Sequence, residues 1–95
     1  MPRPDDATLF AALGDPVRLS LLRRLVSGDG LTLAALTADT SITRQGTAKH
    51  MAVLEAAGLV ISDNVGRERR VRLAPGGLAE ARRALARIEA GLPDA

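Results

Sequence analysis

The residues best equipped for chemistry lie in TRQGTAKHMAVLEAAGLV, from Thr43 to Val60. Arg44, Gln45 and Lys49 are spaced to project from one side of a helix, with Ala48 and Ala52 between them. Arg is complementary to the acceptor edge of guanine and Gln to the donor–acceptor edge of adenine. Ala leaves room for close approach or touches a thymine methyl. A second basic group follows, in which Arg67, Arg69, Arg70 and Arg72 fall within six residues. Guanidinium groups at that density suit phosphate oxygens. A plain solvated helix and a charge-guarded edge strand would account for the same residues separately. Their immediate succession favours a joint role.

The remaining chain predicts the elements that position them. Met1 to Pro4 is expected to be a loose end. In DDATLFAALG, Asp5 or Asp6 caps a first helix over 5–14, Leu9, Phe10 and Leu13 form its apolar stripe, and Gly14 closes it. Asp15-Pro16 restarts a helix with Val17, Leu21, Leu22 and Leu25 inward and Arg18, Arg23 and Arg24 on the wetter sides. SGDG breaks it, Gly30-Leu31 adds a very short strand, and Thr32 caps a brief helix that buries Leu33 and Leu36. Ile42 plugs the angle before the Thr43-capped helix. Thr47, Met51 and Leu54 form that helix's inward face, and Gly58 provides a left-handed stop.

Residues 59–73 predict a hairpin whose turn region spans Asn64 to Glu68, with Val71 and Leu73 pointing opposite to Arg70 and Arg72. Pro75-Gly76-Gly77 punctuates the chain before a last helix over 77–92. Its stripe is Leu78, Leu85, Ile88 and Leu92, with Ala81 and Ala84 allowing close approach. The fold class is therefore mostly α with a small antiparallel β-hairpin (α+β), in the order α-α-(β)-α-α-β-β-α, as one domain over 1–95. That order is a winged helix-turn-helix. Neither terminal helix is required to build it. Leu9, Phe10, Leu13, Leu78, Leu85, Ile88 and Leu92 are expected to form a homodimer interface across a two-fold axis.

Composition narrows the function. Lys plus Arg total 13 against 11 Asp plus Glu in 95 residues, a net charge of +2, so the positive field is local. One aromatic residue, Phe10, argues against stacking on single-stranded nucleic acid. With no cysteine, disulfides and thiolate metal sites are excluded. His50, the only histidine, lies on the flank of the buried helix face and has no nucleophile or ligand cluster arranged with it, so its role is structural or phosphate-adjacent. No nucleotide-binding glycine motif is present. No catalytic residue, metal or cofactor is expected. No apolar run reaches the roughly 20 residues that span a bilayer, and a cytoplasmic location is expected.

Three segments, LFAALGDPVRLSLLRRL (Leu9 to Leu25), ITRQGTAKHMAVLEAAGLV (Ile42 to Val60) and GRERRVRLAP (Gly66 to Pro75), make the chain resemble the ArsR/SmtB family of bacterial winged-helix transcriptional repressors. The resemblance covers nearly the whole domain. It implies a homodimer formed by terminal helices, binding double-stranded DNA at a pseudopalindromic operator and occluding a promoter. Thr43, Arg44, Gln45, Ala48 and Lys49 match the family's groove-facing or backbone-contacting positions, and Arg67, Arg69 and Arg70 fall on its wing. Thr47 stands where the family keeps an apolar core residue, and Gly46 replaces a first-turn Ala or Pro. Metal-sensing relatives carry cysteines near the segment Leu31 to Ala38, or His and carboxylate pairs on the last helix, and both are lacking here. The resemblance thus implies a regulator of another signal, if any, with a protein-interaction domain or a small-molecule effector pocket between the terminal helices as alternatives.

Overall fold

The computed structural model describes residues 5–26, 28–38 and 40–93. The expected loose end, Met1 to Pro4, lies outside them. Five helices and three strands follow in order: α1 (Asp6–Leu13), α2 (Pro16–Arg24), β1 (Leu31–Thr32), α3 (Leu33–Ala38), α4 (Arg44–Ala56), β2 (Val60–Val65), β3 (Glu68–Leu73) and α5 (Pro75–Ala90). This is the expected topology. The strands form one antiparallel sheet in the order β1-β3-β2.

Local chemistry sets most boundaries. Asp5 Oδ1 accepts from Thr8 N–H at 2.8 Å, Asp15 Oδ2 from Arg18 N–H at 3.0 Å, and Thr32 Oγ1 from Ala35 N–H at 3.0 Å. Each satisfies a donor that has no partner within its helix. Gly14 ends α1 with φ −80°, accomplishing the expected closure without a left-handed residue. Apolar side chains of α1 to α4 and of the sheet then meet in one core, where Leu25, Leu36, Leu54, Leu59 and Val71 are fully buried.

The end of α4 is built more tightly. Gly58 has φ +76°, its N–H donates to Glu55 O at 2.9 Å, and Leu59 N–H donates to Leu54 O at 2.9 Å. This pair of bonds is a Schellman turn, and it sends the chain directly into β2.

Two expectations need correction. The wing turn is not the five-residue region 64–68: β2 runs to Val65, β3 starts at Glu68, and Val65 pairs with Glu68. Gly66, with φ +64°, and Arg67 alone make the turn, because a glycine in the first central position matches the twist of paired strands. Pro75-Gly76-Gly77 also does not precede the last helix; it forms its first turn. Proline at the first helical position loses no bond, so the helix starts two residues earlier than 77 and ends at Ala90, before Leu92.

Gly77 faces the Schellman turn. A Cβ there would stand 1.9 Å from Gly58 O and 3.0 Å from Leu59 Cα. Three glycines therefore make distinct predictions, read from urea unfolding midpoints. Gly77→Ala should destabilise most, by roughly 1–3 kcal/mol or more, through overpacking. Gly58→Ala has open space but a left-handed backbone and should lose about 1–2 kcal/mol. Gly76→Ala, helical and unobstructed, should gain about 0.4–1 kcal/mol.

Candidate nucleic-acid interface

α4 presents the candidate reading surface. Thr43 caps it, its Oγ1 accepting from Gly46 N–H at 2.9 Å. Thr47, Met51 and Leu54 turn inward and are buried. Thr47 satisfies its hydroxyl by donating to Thr43 O at 3.1 Å, which is how a polar residue occupies an otherwise apolar position. A Cβ on Gly46 would lie 3.0 Å from Ile42 Cγ2 and 3.2 Å from Thr43 Oγ1, so the glycine makes room for Ile42 and the cap. Ile42 is half-buried there, as the expected plug.

Thr43, Arg44, Gln45 and Lys49 are all exposed, whereas Ala48 is half-buried against the core. The outward face is thus a shallow floor edged by long polar side chains, the relief a helix needs to approach base edges.

Two arginines expected on the wetter sides of α2 tie that helix to its neighbours, and one of them reaches α4. Arg18 is half-buried: its Nε donates to Ala12 O at 2.8 Å, one terminal nitrogen to Ala11 O at 3.1 Å, and the other lies 3.3 Å from His50 Nδ1. It joins the end of α1 to α4 and gives His50 a structural place. The Arg18 backbone N–H, aided by the Arg18 and His50 charges against partial desolvation, holds the Asp15 carboxyl below the usual carboxylate range. Arg24 donates to Leu36 O at 2.7 Å and to Ala35 O at 3.0 Å, tying α2 to the last turn of α3. Both guanidinium groups sit at helix C-termini, where free carbonyls and the helix dipole favour a cation. Sequence periodicity places these arginines on the wetter sides of α2 and carries no sign of the carbonyls they reach.

The four wing arginines are not equivalent. Arg67 occupies the exposed tip and has no hydrogen-bond or ion-pair partner among the described residues. Arg70 donates to Gly30 O at 3.1 Å, binding β3 to the loop before β1. Arg72 lies 3.8 Å from Asp63. Arg69 points to the α4 side of the sheet, 3.1 Å from both Glu55 Oε2 and Ser62 Oγ. Glu55 and Ser62 were not among the expected site residues.

The candidate dimer residues also divide. Leu9 is 3% exposed and belongs to the chain's own core, and Phe10 and Leu13 are half-buried. Leu78, Leu85, Ile88 and Leu92 are 40%, 57%, 64% and 66% exposed. Only Ala81 and Ala84 of that helix are buried, so the expected stripe is unfilled within one chain. Beside it, a cleft of about 330 Å³ opens between α1, the end of α4 and the start of α5, walled by Leu9, Ala57, Gly58, Gly76 and Gly77 with Glu80 and Arg83 at its edge.

A helix-turn-helix with an exposed polar reading face and an arginine-bearing β-hairpin defines a winged helix-turn-helix DNA-binding module. Residues 13–63 match the family model described as a helix-turn-helix domain. The chain is 48% identical over 67 residues to an uncharacterized HTH-type transcriptional regulator, YuzN, of Bacillus subtilis (strain 168), covering 64% of this chain and 73% of that protein. It is also similar to the solved structure of an ArsR-like transcriptional regulator from Rhodococcus sp. RHA1, with a TM-score of 0.76 and 40% identity over 90% of this chain and 79% of that one. A possible transcriptional regulator for arsenical resistance gives a TM-score of 0.76 and 32% identity, with 92% of this chain and 98% of that one covered. The chain belongs to the ArsR/SmtB family of winged helix-turn-helix transcriptional regulators. It is a DNA-binding regulator that lacks the family's metal-binding motifs: it has no cysteine, and no group of three His, Asp or Glu side chains gathers among the described residues. Among those residues no helix is long and apolar enough to cross a membrane.

The arginine arrangement yields a paired prediction. Arg24→Ala should destabilise the fold by roughly 2–3 kcal/mol in urea unfolding, because charged hydrogen bonds to half-buried carbonyls are lost. Arg23→Ala, at an exposed position, should change it by less than about 0.5 kcal/mol.

Proposed function

We propose that the protein is a cytoplasmic homodimeric repressor that binds a pseudopalindromic operator and blocks a promoter. The observation that carries this reading is the pairing of the exposed Arg44–Gln45–Lys49 face of α4 with the free Arg67 on the wing tip. One α4 enters each of two major grooves, with Arg44 and Gln45 reading base edges and Thr43, Ala48 and Lys49 lying along the groove wall and backbone. Arg67 supplies the wing's free phosphate contact. Arg69 and Arg70 leave opposite faces of β3, each with part of its hydrogen-bonding capacity already engaged. The unfilled stripe of α5, with Phe10 and Leu13 of α1, supports a two-fold interface that spaces the reading helices about one DNA turn, roughly 34–36 Å, apart.

Selection of bound duplexes from random DNA tests the reading: an enriched inverted repeat is expected, and no enrichment from a folded dimer would favour a protein-interaction role. On the selected site, Arg44→Ala should relax discrimination at one base pair by roughly 1–3 kcal/mol. Arg67→Ala should weaken cognate and scrambled DNA alike and reduce the salt slope by about one unit. Equal loss on all sequences for Arg44→Ala would remove it from base readout.

For the dimer, Ile88→Glu should convert the dimer to monomer in sedimentation equilibrium while helical circular dichroism persists. A dimer of unchanged affinity would place the interface elsewhere. The cleft between the terminal helices supports a second reading, control by a small apolar effector, because its size lies within the range of ligand pockets. Release of the operator by a compound that raises the melting temperature would establish it.

A further inference from the structure

The last turn of α4 carries an acid on the flank shared with Arg44. At about 100° per residue, Glu55 lies within roughly 20° of Arg44 around the helix. A carboxylate on a groove-approaching face repels phosphates, so its presence there calls for a compensating partner. The partner is in the wing. Ser62 Oγ lies 3.2 Å from Glu55 Oε1 and 3.1 Å from Oε2, and Arg69 donates to both Glu55 Oε2 and Ser62 Oγ at 3.1 Å. The hydroxyl therefore donates to the carboxylate and accepts from the guanidinium, and three elements close into one ring of bonds.

The placement of this ring matters. Ser62 pairs with Val71, the last fully buried wing residue, and Arg69 pairs with Asn64 further out. From Asp63 to Glu68 every residue is exposed. Among the described residues the ring is the outermost hydrogen-bonded tie between α4 and the wing, and beyond it the hairpin is held only by its own ladder.

We propose that Glu55 is a positioning residue: through Ser62 and Arg69 it sets the wing tip at a fixed distance from the reading helix, and it makes Arg69 a strut instead of a phosphate contact. The proposal rests on the DNA-binding reading of α4 and the wing. It predicts a sign opposite to simple electrostatics. Removing an acid beside DNA should tighten binding if the acid only repels phosphates, whereas losing a strut weakens it.

The test compares Glu55→Ala, Arg69→Ala, the double variant and Arg67→Ala across a salt series on the selected operator. Each single change in the strut should weaken cognate binding about three- to fivefold, in keeping with an exposed but networked ion pair. The double variant should be no weaker than either single one, and the salt slope should not change. Tighter binding by Glu55→Ala, or a lower slope for Arg69→Ala, would overturn the proposal and make Arg69 a phosphate contact restrained by Glu55.

Arg67→Ala separates this failure from a failure of the wing reading, since an unchanged slope there means that the wing does not touch DNA. The strut is then read without DNA. The chain has no cysteine, so spin labels can be placed at Val53→Cys and Glu68→Cys alone, with labelled protein diluted in unlabelled. A narrow distance distribution should broaden on adding Glu55→Ala. An unchanged width would overturn the strut.

Discussion

The contact between Gly77 and the Gly58–Leu59 backbone constrains the rest of the molecule. With the Gly58 carbonyl 1.9 Å from where a Cβ of residue 77 would stand, main chain packs on main chain and no rotamer is available to absorb an error. The same few residues end α4, start β2 and receive the first turn of α5. Reading helix, wing and terminal helix therefore meet at one point. An angle set there is carried outward along α4 to Arg44 and along α5 to the exposed stripe around Ile88. The geometry of DNA contact and that of subunit pairing share an origin.

Charge is apportioned with the same economy. Arg18, Arg24 and Arg70 spend their donors on carbonyls at Ala11, Ala12, Ala35, Leu36 and Gly30. A planar, permanently charged fork suits that task better than an ammonium, because it can hold two acceptors in fixed directions. Arg44, Lys49 and Arg67 remain exposed. A net charge of +2 thus understates the positive field at the reading face and says nothing about the internal staples. The protein's basic character is two populations of arginine with different physical roles, separated by what lies within reach of each guanidinium.

The core has few large side chains to work with. A chain of this size buries a modest share of its surface, and here Leu, Val and Ala do nearly all of that work. Leaving Leu78, Leu85 and Ile88 exposed along one helix, with Leu92 just beyond its end, is costly for an isolated monomer. The same arrangement is economical if a second copy completes the layer. Arg87 of that helix meets Asp6 of α1 at 3.2 Å, but both groups are largely exposed and contribute little to holding the helices together.

Much of this was legible in the residues themselves. Asp5, Asp15, Thr32 and Thr43 announce helix starts because a cap is a local hydrogen bond within three residues. Gly58 announces a stop because its left-handed backbone is a local property. The α4 faces follow from helical period, and the order of elements with the Arg44–Lys49 pattern was enough to indicate the family. Tertiary structure alone decided the remainder. That residue 77 has to be a glycine depends on the Gly58 carbonyl standing where its Cβ would be. That Leu9 is core while Ile88 is not depends on which helix lies beside which. That Arg18 and Arg24 are staples, and Arg69 a partner of Glu55, depends on acceptors brought near from distant parts of the chain. Local periodicity carries information about a residue's own helix or strand and none about the atoms across the gap. The sequence by itself determined the order of the elements and the polar face of α4; only packing determined which arginines keep their donors free.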